Sequence, residues 1–353
     1  MYVTTPGAQV IALDAKTGQA LWRYKKEIPG EMLQLHPTNR GVALYGDKVY
    51  VATVDCHLVA LDAETGAIKG HHQYHPNDAW DWDEVSAPIL IDTQIKGENV
   101  KAAVHAGRNG YLWMLERTSS KINFVGAMPY VHNDVFKSID ATTGRPTYDA
   151  ARTPGMGEAV NFCPSLWGGK DWPPEAWNPK TGLFYIPANN NLCSELPAAE
   201  PVKYRAGDLY IGYPIDGVLG SLRYRDGKAP STIGEIQAWN LKTGKQVWTH
   251  KFPTFKWGPL LTTGGNLLFA GGTNDRKFRA FNARNGKVLW ETATPSGVTG
   301  VPSAFEVDGE QYIAVLSGWG VDAQRMQSGI DTLTGKKDAV PQGGTVMVNK
   351  LPK

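Results

Sequence analysis

Residues 75–84 combine acidic and aromatic side chains in a pattern that could bind a cation or move a proton. The segment reads His-Pro-Asn-Asp-Ala-Trp-Asp-Trp-Asp-Glu, with four carboxylates and two tryptophans. If the segment is extended, Trp80 and Trp82 share one face. Asp81 and Asp83 then share the other, where two carboxylates backed by indole rings suit a hard cation or a base with a raised pKa. From this segment alone, a solvated acidic turn is the alternative.

The composition excludes two classes of partner and indicates an all-β chain. Among 353 residues, 36 basic and 34 acidic side chains nearly cancel, which leaves no electrostatic footprint for nucleic acid or an anionic membrane. Glycine (39), proline (23) and tryptophan (12) are frequent, as is typical of sheets with many turns. No apolar run is long enough to predict a membrane-spanning helix.

The chain begins Met-Tyr-Val-Thr-Thr-Pro-Gly, without the basic region and apolar stretch of a signal peptide. This start is similar to the middle of a strand. We therefore expect that further residues once preceded Met1.

The three cysteines leave two interpretations open. Cys163 and Cys193 pair if a loop returns on itself, and a disulfide would favour an oxidising compartment. The alternative is two separate buried thiols. Cys56 is predicted to fill a small space in the core.

An eleven-residue pattern occurs four times, at residues 12–22, 60–70, 238–248 and 280–290. In each copy a strand ends at Asp or Asn, whose side chain can bond to its own turn. Thr-Gly or Asn-Gly then supplies the positive φ that a tight hairpin needs. Three copies end in a tryptophan that can pack between neighbouring sheets, whereas the second ends in Gly70, where we expect weaker packing.

The spacing of these copies indicates a β-propeller. The first two are about 48 residues apart and the last two about 42, which is the size of one blade. We predict an all-β fold: a β-propeller of four-stranded antiparallel blades with Trp-docking-type repeats, forming a single domain over residues 1–353. Six to seven blades are expected, and an incomplete ring is left open.

The repeats, the acidic tryptophan motif and several loops together resemble the PQQ-dependent (quinoprotein) alcohol dehydrogenases of the methanol and ethanol type. The matching segments are Asp-Ala-Trp-Asp-Trp-Asp at 78–83, Gly-Arg-Asn-Gly at 107–110, Tyr-Ile-Pro-Ala-Asn at 185–189, Lys-Trp-Gly-Pro at 256–259, Ser-Gly-Trp-Gly at 317–320 and Thr-Asn-Arg-Gly at 38–41. The resemblance implies an eight-bladed propeller that binds pyrroloquinoline quinone (PQQ) beside a calcium or lanthanide ion.

The resemblance also implies roles at the reacting centre. Asp81 would be the general base that takes the alcohol's proton while hydride passes to the quinone C5. Arg108 would bond the C5 oxygen and stabilise the charge that develops there. The metal, held by Asp81 and Asp83, would polarise the same carbonyl. Asp83 matches an extra carboxylate of lanthanide-type members, although Trp82 stands where the family often has tyrosine.

Four further residues would hold the quinone by the same resemblance. Asn189 would bond the flat ring and Trp257 would stack on it, with Trp319 in a later loop around the cofactor. Arg40 would pair with a quinone carboxylate. Each has an ordinary alternative: a polar turn, packing between blades, or a surface salt bridge.

The chain also departs from the family pattern. The adjacent cysteine pair that covers one quinone face is absent, and its expected place holds Gln34 and Leu35. An internal segment is missing that normally supplies a glutamate and an asparagine to the metal and a tryptophan floor to the quinone site. An N-terminal piece is likewise expected to be missing. We therefore expect weak cofactor binding, or none.

Two functions of different classes remain. The first is oxidation of an alcohol to an aldehyde, with electrons passed to a cytochrome c. The alternative is a degenerate, non-catalytic propeller that acts as a binding scaffold, and a sugar-oxidising quinoprotein is a third interpretation. By family analogy the protein would work in the periplasm, and a homodimer is left open.

Overall fold

The computed structural model describes residues 1–28, 41–118, 121–201, 203, 212–213 and 221–351. The chain folds into two compact units. The first comprises Met1–Thr93, Asn99–Trp172 and Cys193–Ser221, and the second comprises Gln94–Glu98, Pro173–Leu192 and Leu222–Lys353. The single domain over 1–353 stays a prediction. Among the described residues, no helix is long and apolar enough to cross a bilayer.

Antiparallel sheets make up the first unit. A three-stranded sheet contains β1 (Tyr2–Thr5), β2 (Gln9–Leu13) and β3 (Ala20–Lys25). Two four-stranded sheets follow: β4 (Ala43–Tyr45), β5 (Lys48–Ala52), β6 (His57–Asp62) and β7 (Ile68–Gln73), then β8 (Ile89–Ile95), β9 (Glu98–Ala106), β10 (Tyr111–Arg117) and β11 (Ile122–Pro129). A hairpin of β12 (Phe136–Ile139) and β13 (Pro146–Tyr148) precedes a 3-10 helix (Ala150–Arg152), and β14 (Val160–Phe162) pairs with β17 (Leu192–Leu196).

The second unit repeats the four-stranded arrangement. One sheet contains β15 (Ala176–Asn178), β16 (Leu183–Asn189), β19 (Gly234–Asn240) and β20 (Lys245–Phe252), and the next contains β21 (Leu260–Thr262), β22 (Leu267–Ala270), β23 (Lys277–Asn282) and β24 (Val288–Ala293). A third sheet contains β25 (Ser303–Val307), β26 (Glu310–Ser317) and β27 (Thr345–Lys350). Among the described residues, the remaining elements of this unit are the short β18 (Leu222–Tyr224) and one α-helix, α1 (Gly320–Thr334).

The repeat turns form as the sequence predicts. Asp14 accepts from two N–H groups of its turn at 2.8 and 2.9 Å, and Gly18 has a φ of +73°. Asp62 and Asn240 each accept from two N–H groups of their turns in the same way, and Asn282 accepts from one. Turns at 140–144 and 178–182 are built identically. The sequence analysis missed these two, although Asp/Asn-x-x-Thr-Gly marks both.

Two repeat tryptophans dock onto the turn of the next sheet. Trp22 of β3 lies against Gly66 and donates from Nε1 to a turn carbonyl at 3.0 Å, and Trp248 of β20 does the same against Gly286. A Cβ on either glycine would lie within 2.9 Å of the indole, so glycine serves this packing as well as the positive φ. Trp290 is partly exposed instead. The predicted fold class is confirmed, while blade number and ring closure stay predictions.

One alternative for the cysteines is also decided. Cys163 and Cys193, both in the first unit, form a disulfide. Cys56 is a buried free thiol, as predicted. The cross-link joins residues 30 positions apart and closes a stretch that includes β15 and β16.

Candidate functional site

The acidic tryptophan segment forms bends rather than a strand. Asp81 has a φ of +62°, in the left-handed region that aspartate tolerates better than most residues. Trp80 and Trp82 are fully buried and stack with ring centroids 5.7 Å apart. The side chain of Asp81 is 55% exposed and that of Asp83 is 26% exposed. The two indoles therefore lie on one side of the segment and the two carboxylates on the other, as predicted. The bend at Asp81 produces this division, so the predicted extended conformation was wrong.

Arg108 joins the two outward carboxylates. It lies in the turn between β9 and β10, and its Nη1 donates to Asp83 at 2.7 Å. Its Nη2 donates to Asp81 at 3.1 Å and to the Leu166 carbonyl at 2.8 Å. A further carboxylate, that of Asp171, lies 3.8 Å from Nη2. The guanidinium is nearly buried, so these contacts act in a medium of low dielectric and fix its position.

Three carboxyl groups lie close to the single guanidinium of Arg108. Burial raises the pKa of Asp83, and the charges of Asp81 and Asp171 act in the same direction, whereas Arg108 opposes them. Burial lowers the pKa of Arg108, but the neighbouring carboxylates raise this pKa by more than burial lowers it. The arginine therefore stays charged. One guanidinium therefore faces several carboxylates, an arrangement that a bound cation would relieve.

The turn that carries Arg108 is fixed by its neighbours. The Oδ1 of Asn109 accepts from the indole of Trp113 at 3.1 Å, and Gly110 has a φ of +85°. A Cβ at Gly107 would lie 2.6 Å from Oε1 of Glu84, so only glycine fits this close approach. Each residue of Gly-Arg-Asn-Gly therefore has a structural role in presenting the guanidinium.

Three buried polar side chains in the segment and beside it were given no individual role from the sequence. Glu84 hydrogen-bonds His105, and both side chains are buried. His75 lies between aromatic rings, stacked on Phe136 at 5.3 Å, and burial lowers its pKa to about 3. Their residue types are visible in the sequence, but nothing in its pattern shows that β9 brings His105 to Glu84.

The second unit contains three of the predicted cofactor residues, and all three are buried. Asn189 ends β16, and its side-chain amide donates to the Lys256 carbonyl at 3.0 Å and accepts from the Lys256 N–H at 2.7 Å. Burial lowers the pKa of Lys256 to about 7, and its Nζ donates to the Gly258 carbonyl. Trp257 lies between Lys256 and Gly258 in the sequence, and its side chain is buried. Asn189 therefore fixes the backbone of the loop that carries Trp257.

Trp319 is buried at the start of α1. Its ring packs tightly against Gly297, where a Cβ would lie 2.0 Å from the ring, and its centroid lies 5.6 Å from that of Phe255. The cofactor contacts predicted for Asn189, Trp257 and Trp319 stay predictions. Arg40 lies outside the described residues, and its predicted contact also stays a prediction.

The sequence matches the family described as PQQ: glucose/ethanol/alcohol dehydrogenase, β-propeller domain, at residues 1–67, 56–124 and 253–313, together more than half of the chain. The chain belongs to this PQQ-dependent dehydrogenase propeller family. The matched residues include the acidic tryptophan segment, the Arg108 turn and Trp257. The recognition made from motifs is therefore confirmed, and with it the enzyme family.

Curated relatives of the family are similar over most of this chain. A quinoprotein ethanol dehydrogenase of Pseudomonas putida is 38% identical over 303 residues, covering 83% of this chain and 46% of that protein. A lanthanide-dependent methanol dehydrogenase of Methylacidiphilum fumariolicum is 35% identical over 269 residues, covering 75% and 42%. The chain thus spans less than half the length of these relatives. Among solved structures, a europium-containing methanol dehydrogenase superposes with a TM-score of 0.75 at 25% identity, covering 99% of this chain and 79% of that one.

Proposed function

We propose that this protein oxidises an alcohol to an aldehyde in a PQQ-dependent reaction, with Asp81 as the base. The observation that carries the proposal is the position of Arg108, whose guanidinium contacts both Asp81 and Asp83. A single buried cation thus holds together the two carboxylates that the chemistry requires. Family membership supplies the cofactor class.

A hard cation fits this site by charge and by donor type. Carboxylate oxygens are the ligands that calcium prefers, and trivalent lanthanide ions demand still more negative charge. Asp81 and Asp83 would hold the ion, since both carboxylates are partly exposed beside Arg108. Because three carboxyl groups lie beside one guanidinium, a bound cation would stabilise their ionised forms.

The predicted PQQ contacts differ in how open they are. The N–H donors of Arg108 suit an anionic oxygen of the quinone. The family resemblance assigns further contacts to Asn189, Trp257, Trp319 and Arg40. Because protein atoms cover both tryptophan rings, stacking on either requires that a ring face become uncovered.

When bound, PQQ would accept the hydride of the alcohol and the metal would act as a Lewis acid. Asp81 takes the hydroxyl proton, because its carboxylate is more exposed than those of Asp78, Asp83 and Asp171. Arg108 fixes one oxygen of this base. The indoles of Trp80 and Trp82 keep water from the rear of the segment.

Four wider proposals rest on family analogy. The electrons pass to a cytochrome c. The protein works in the periplasm. It acts on a small alcohol and forms a homodimer, which sedimentation at several concentrations would test.

Reconstitution tests the activity. The full chain is loaded with PQQ and either calcium or lanthanum, and reduction of a dye acceptor by ethanol is followed. We expect metal-dependent turnover that Asp81→Asn reduces by at least about 100-fold, since the base is lost. Asp92→Asn, in the same unit but ion-paired with Arg117, is the control and should retain turnover. Equal rates for Asp81→Asn and the unchanged protein would rule out this base.

A non-catalytic binding scaffold is the second candidate. The observation that favours it is the complete burial of Trp257 and Trp319, which leaves neither ring face open to a quinone. Absorbance of bound quinone after gel filtration separates the candidates. A scaffold would carry no quinone with either metal.

A further inference from the structure

Asp78 has both of its carboxylate oxygens bound to the backbone of the segment that follows it. Its Oδ1 accepts from the Trp80 N–H at 2.9 Å, and its Oδ2 accepts from the Trp82 N–H at 2.7 Å. These two N–H groups flank Asp81, the residue with positive φ. One side chain thereby fixes the backbone on each side of the proposed base.

Asp78 lies in a mostly buried environment, where the two hydrogen bonds from the backbone stabilise its carboxylate. The carboxylate is mostly buried, and Nε2 of His75 lies 3.5 Å from its Oδ1. His75 is neutral near pH 7, because burial lowers its pKa to about 3. Burial raises the pKa of Asp78 to about 7; the charge of Asp81 acts in the same direction, whereas that of Arg108 opposes it. This buried carboxylate therefore depends on its peptide donors.

The indoles complete the attachment of the segment. Trp80 donates from Nε1 to the Arg152 carbonyl at 2.8 Å, and Trp82 donates to the Ser165 carbonyl at 2.9 Å. Both tryptophans are therefore held by backbone and by side chain. Asp81 and Asp83 alternate with them and are the residues that remain directed toward Arg108.

We propose that Asp78 is a positioning residue, which clamps Trp80 and Trp82 so that Asp81 and Asp83 are presented together to Arg108 and to a bound cation. The part concerning the cation rests on the proposed function. The clamp itself does not, because it depends only on hydrogen bonds within the first unit. Groups that orient metal ligands typically change metal affinity by about 10- to 100-fold when they are altered.

Asp78→Asn is the informative variant. A carboxamide keeps the size of the side chain but offers a single acceptor oxygen, so its NH2 group faces one of the two N–H donors. Hydrogen exchange followed by mass spectrometry reads out the clamp directly. In the unchanged protein the amides of Trp80 and Trp82 should exchange slowly, and in Asp78→Asn at least one should exchange about 10-fold faster or more, as expected for the loss of about one hydrogen bond.

Terbium luminescence reads out the consequence for the cation. Terbium(III) alone is titrated, and emission sensitised by the neighbouring tryptophans reports its binding. We expect Asp78→Asn to weaken terbium binding about 10- to 100-fold. Asp92→Asn is the matched control, since it removes one carboxylate charge from a half-exposed side chain in the same unit.

Every outcome decides a part of the proposal. The clamp is overturned if the amides of Trp80 and Trp82 exchange at the same rate in Asp78→Asn as in the unchanged protein. It is also overturned if both amides already exchange fast in the unchanged protein, and that measurement does not depend on the variant folding. Faster exchange with unchanged terbium affinity overturns the positioning role. If the unchanged protein binds no terbium, the proposed cation site fails, and the exchange rates alone decide the clamp.

Discussion

Arg108 and Asp83 form a close ion pair at the centre of the acidic site, with Nη1 of the arginine 2.7 Å from Oδ1 of the aspartate. Twenty-five residues separate them, and neither lies in a regular strand. The glycine-flanked turn before β10 fixes the arginine, and the bend after Trp80 fixes the aspartate. Two irregular segments on a framework of sheets therefore define the candidate site.

Arg108→Ala should abolish most of the proposed activity. The variant loses the donor to both carboxylates and leaves them mutually repelling, so we expect kcat to fall about 10²- to 10³-fold. Arg108→Lys keeps the charge but not the two-pronged geometry and should recover only part of the loss. Turnover of reconstituted protein measures both. Arg225→Ala, an exposed arginine paired with its neighbour Asp226, is the control.

The sequence predicted which residues meet at the acidic site, but it did not predict the backbone conformation that brings them together. The alternation of tryptophan and aspartate predicted that Asp81 and Asp83 lie on one side of the segment. The family resemblance predicted that Arg108 lies beside them. The left-handed bend at Asp81 could not be predicted, because it depends on Asp78 accepting from two peptides at once. The Glu84–His105 contact requires the register of β9, which no local pattern specifies.

His75 predicts a loss of stability in acid. The unfolded chain takes up a proton on this histidine near pH 6.5, whereas burial holds the folded pKa at about 3. Its contribution is complete above pH 6.5 and is lost as the pH falls toward 3, at about 1.4 kcal/mol per pH unit. His75→Phe should remove this dependence, because phenylalanine can stack on Phe136 without titrating.

Urea unfolding at pH 7.5 and pH 5 measures this effect. Between pH 7.5 and pH 5 the unchanged protein should lose about 2 kcal/mol more unfolding free energy than His75→Phe does. The reason is that pH 5 lies about 1.5 pH units below the pKa of the histidine in the unfolded chain. Its stability at pH 7.5 is the internal reference. Parallel pH dependences for the two proteins would contradict a neutral buried imidazole at this position.

The Cys163–Cys193 disulfide should stabilise the protein by restricting its unfolded chain. For a sequence separation of 30 residues, loop closure predicts that Cys163→Ser with Cys193→Ser costs about 3.6 kcal/mol. Unfolding by urea measures the loss. Adding a thiol reductant should lower the unfolding midpoint of the unchanged protein but leave the double variant unaffected. An equal response of both would assign the effect to something other than this disulfide.

Gly70 shows where a repeat pattern misleads. It occupies the position of the docking tryptophan, and the sequence predicted a poorly packed seam there. Instead, a Cβ at Gly70 would lie 2.9 Å from the backbone nitrogen of Ile122 and 3.1 Å from the α-carbon of Lys121. Backbone from the start of β11 approaches so closely that no side chain fits, and the prediction of weak packing was wrong. Spacing cannot reveal such an approach, because it depends on the neighbouring sheet.

Restoring the repeat at this position should therefore destabilise the protein. Gly70→Ala places its Cβ against backbone atoms that cannot rotate away, so we expect a loss of about 1–3 kcal/mol in unfolding free energy, and Gly70→Trp should lose more. Gly155→Ala is the matched control in the same unit, because no atom lies within 4 Å of its Cβ and its φ is not positive. It should change stability by no more than about 0.5 kcal/mol. Thermal unfolding of the three variants measures the series, and a Gly70→Trp protein more stable than the unchanged chain would mean that the seam is open after all.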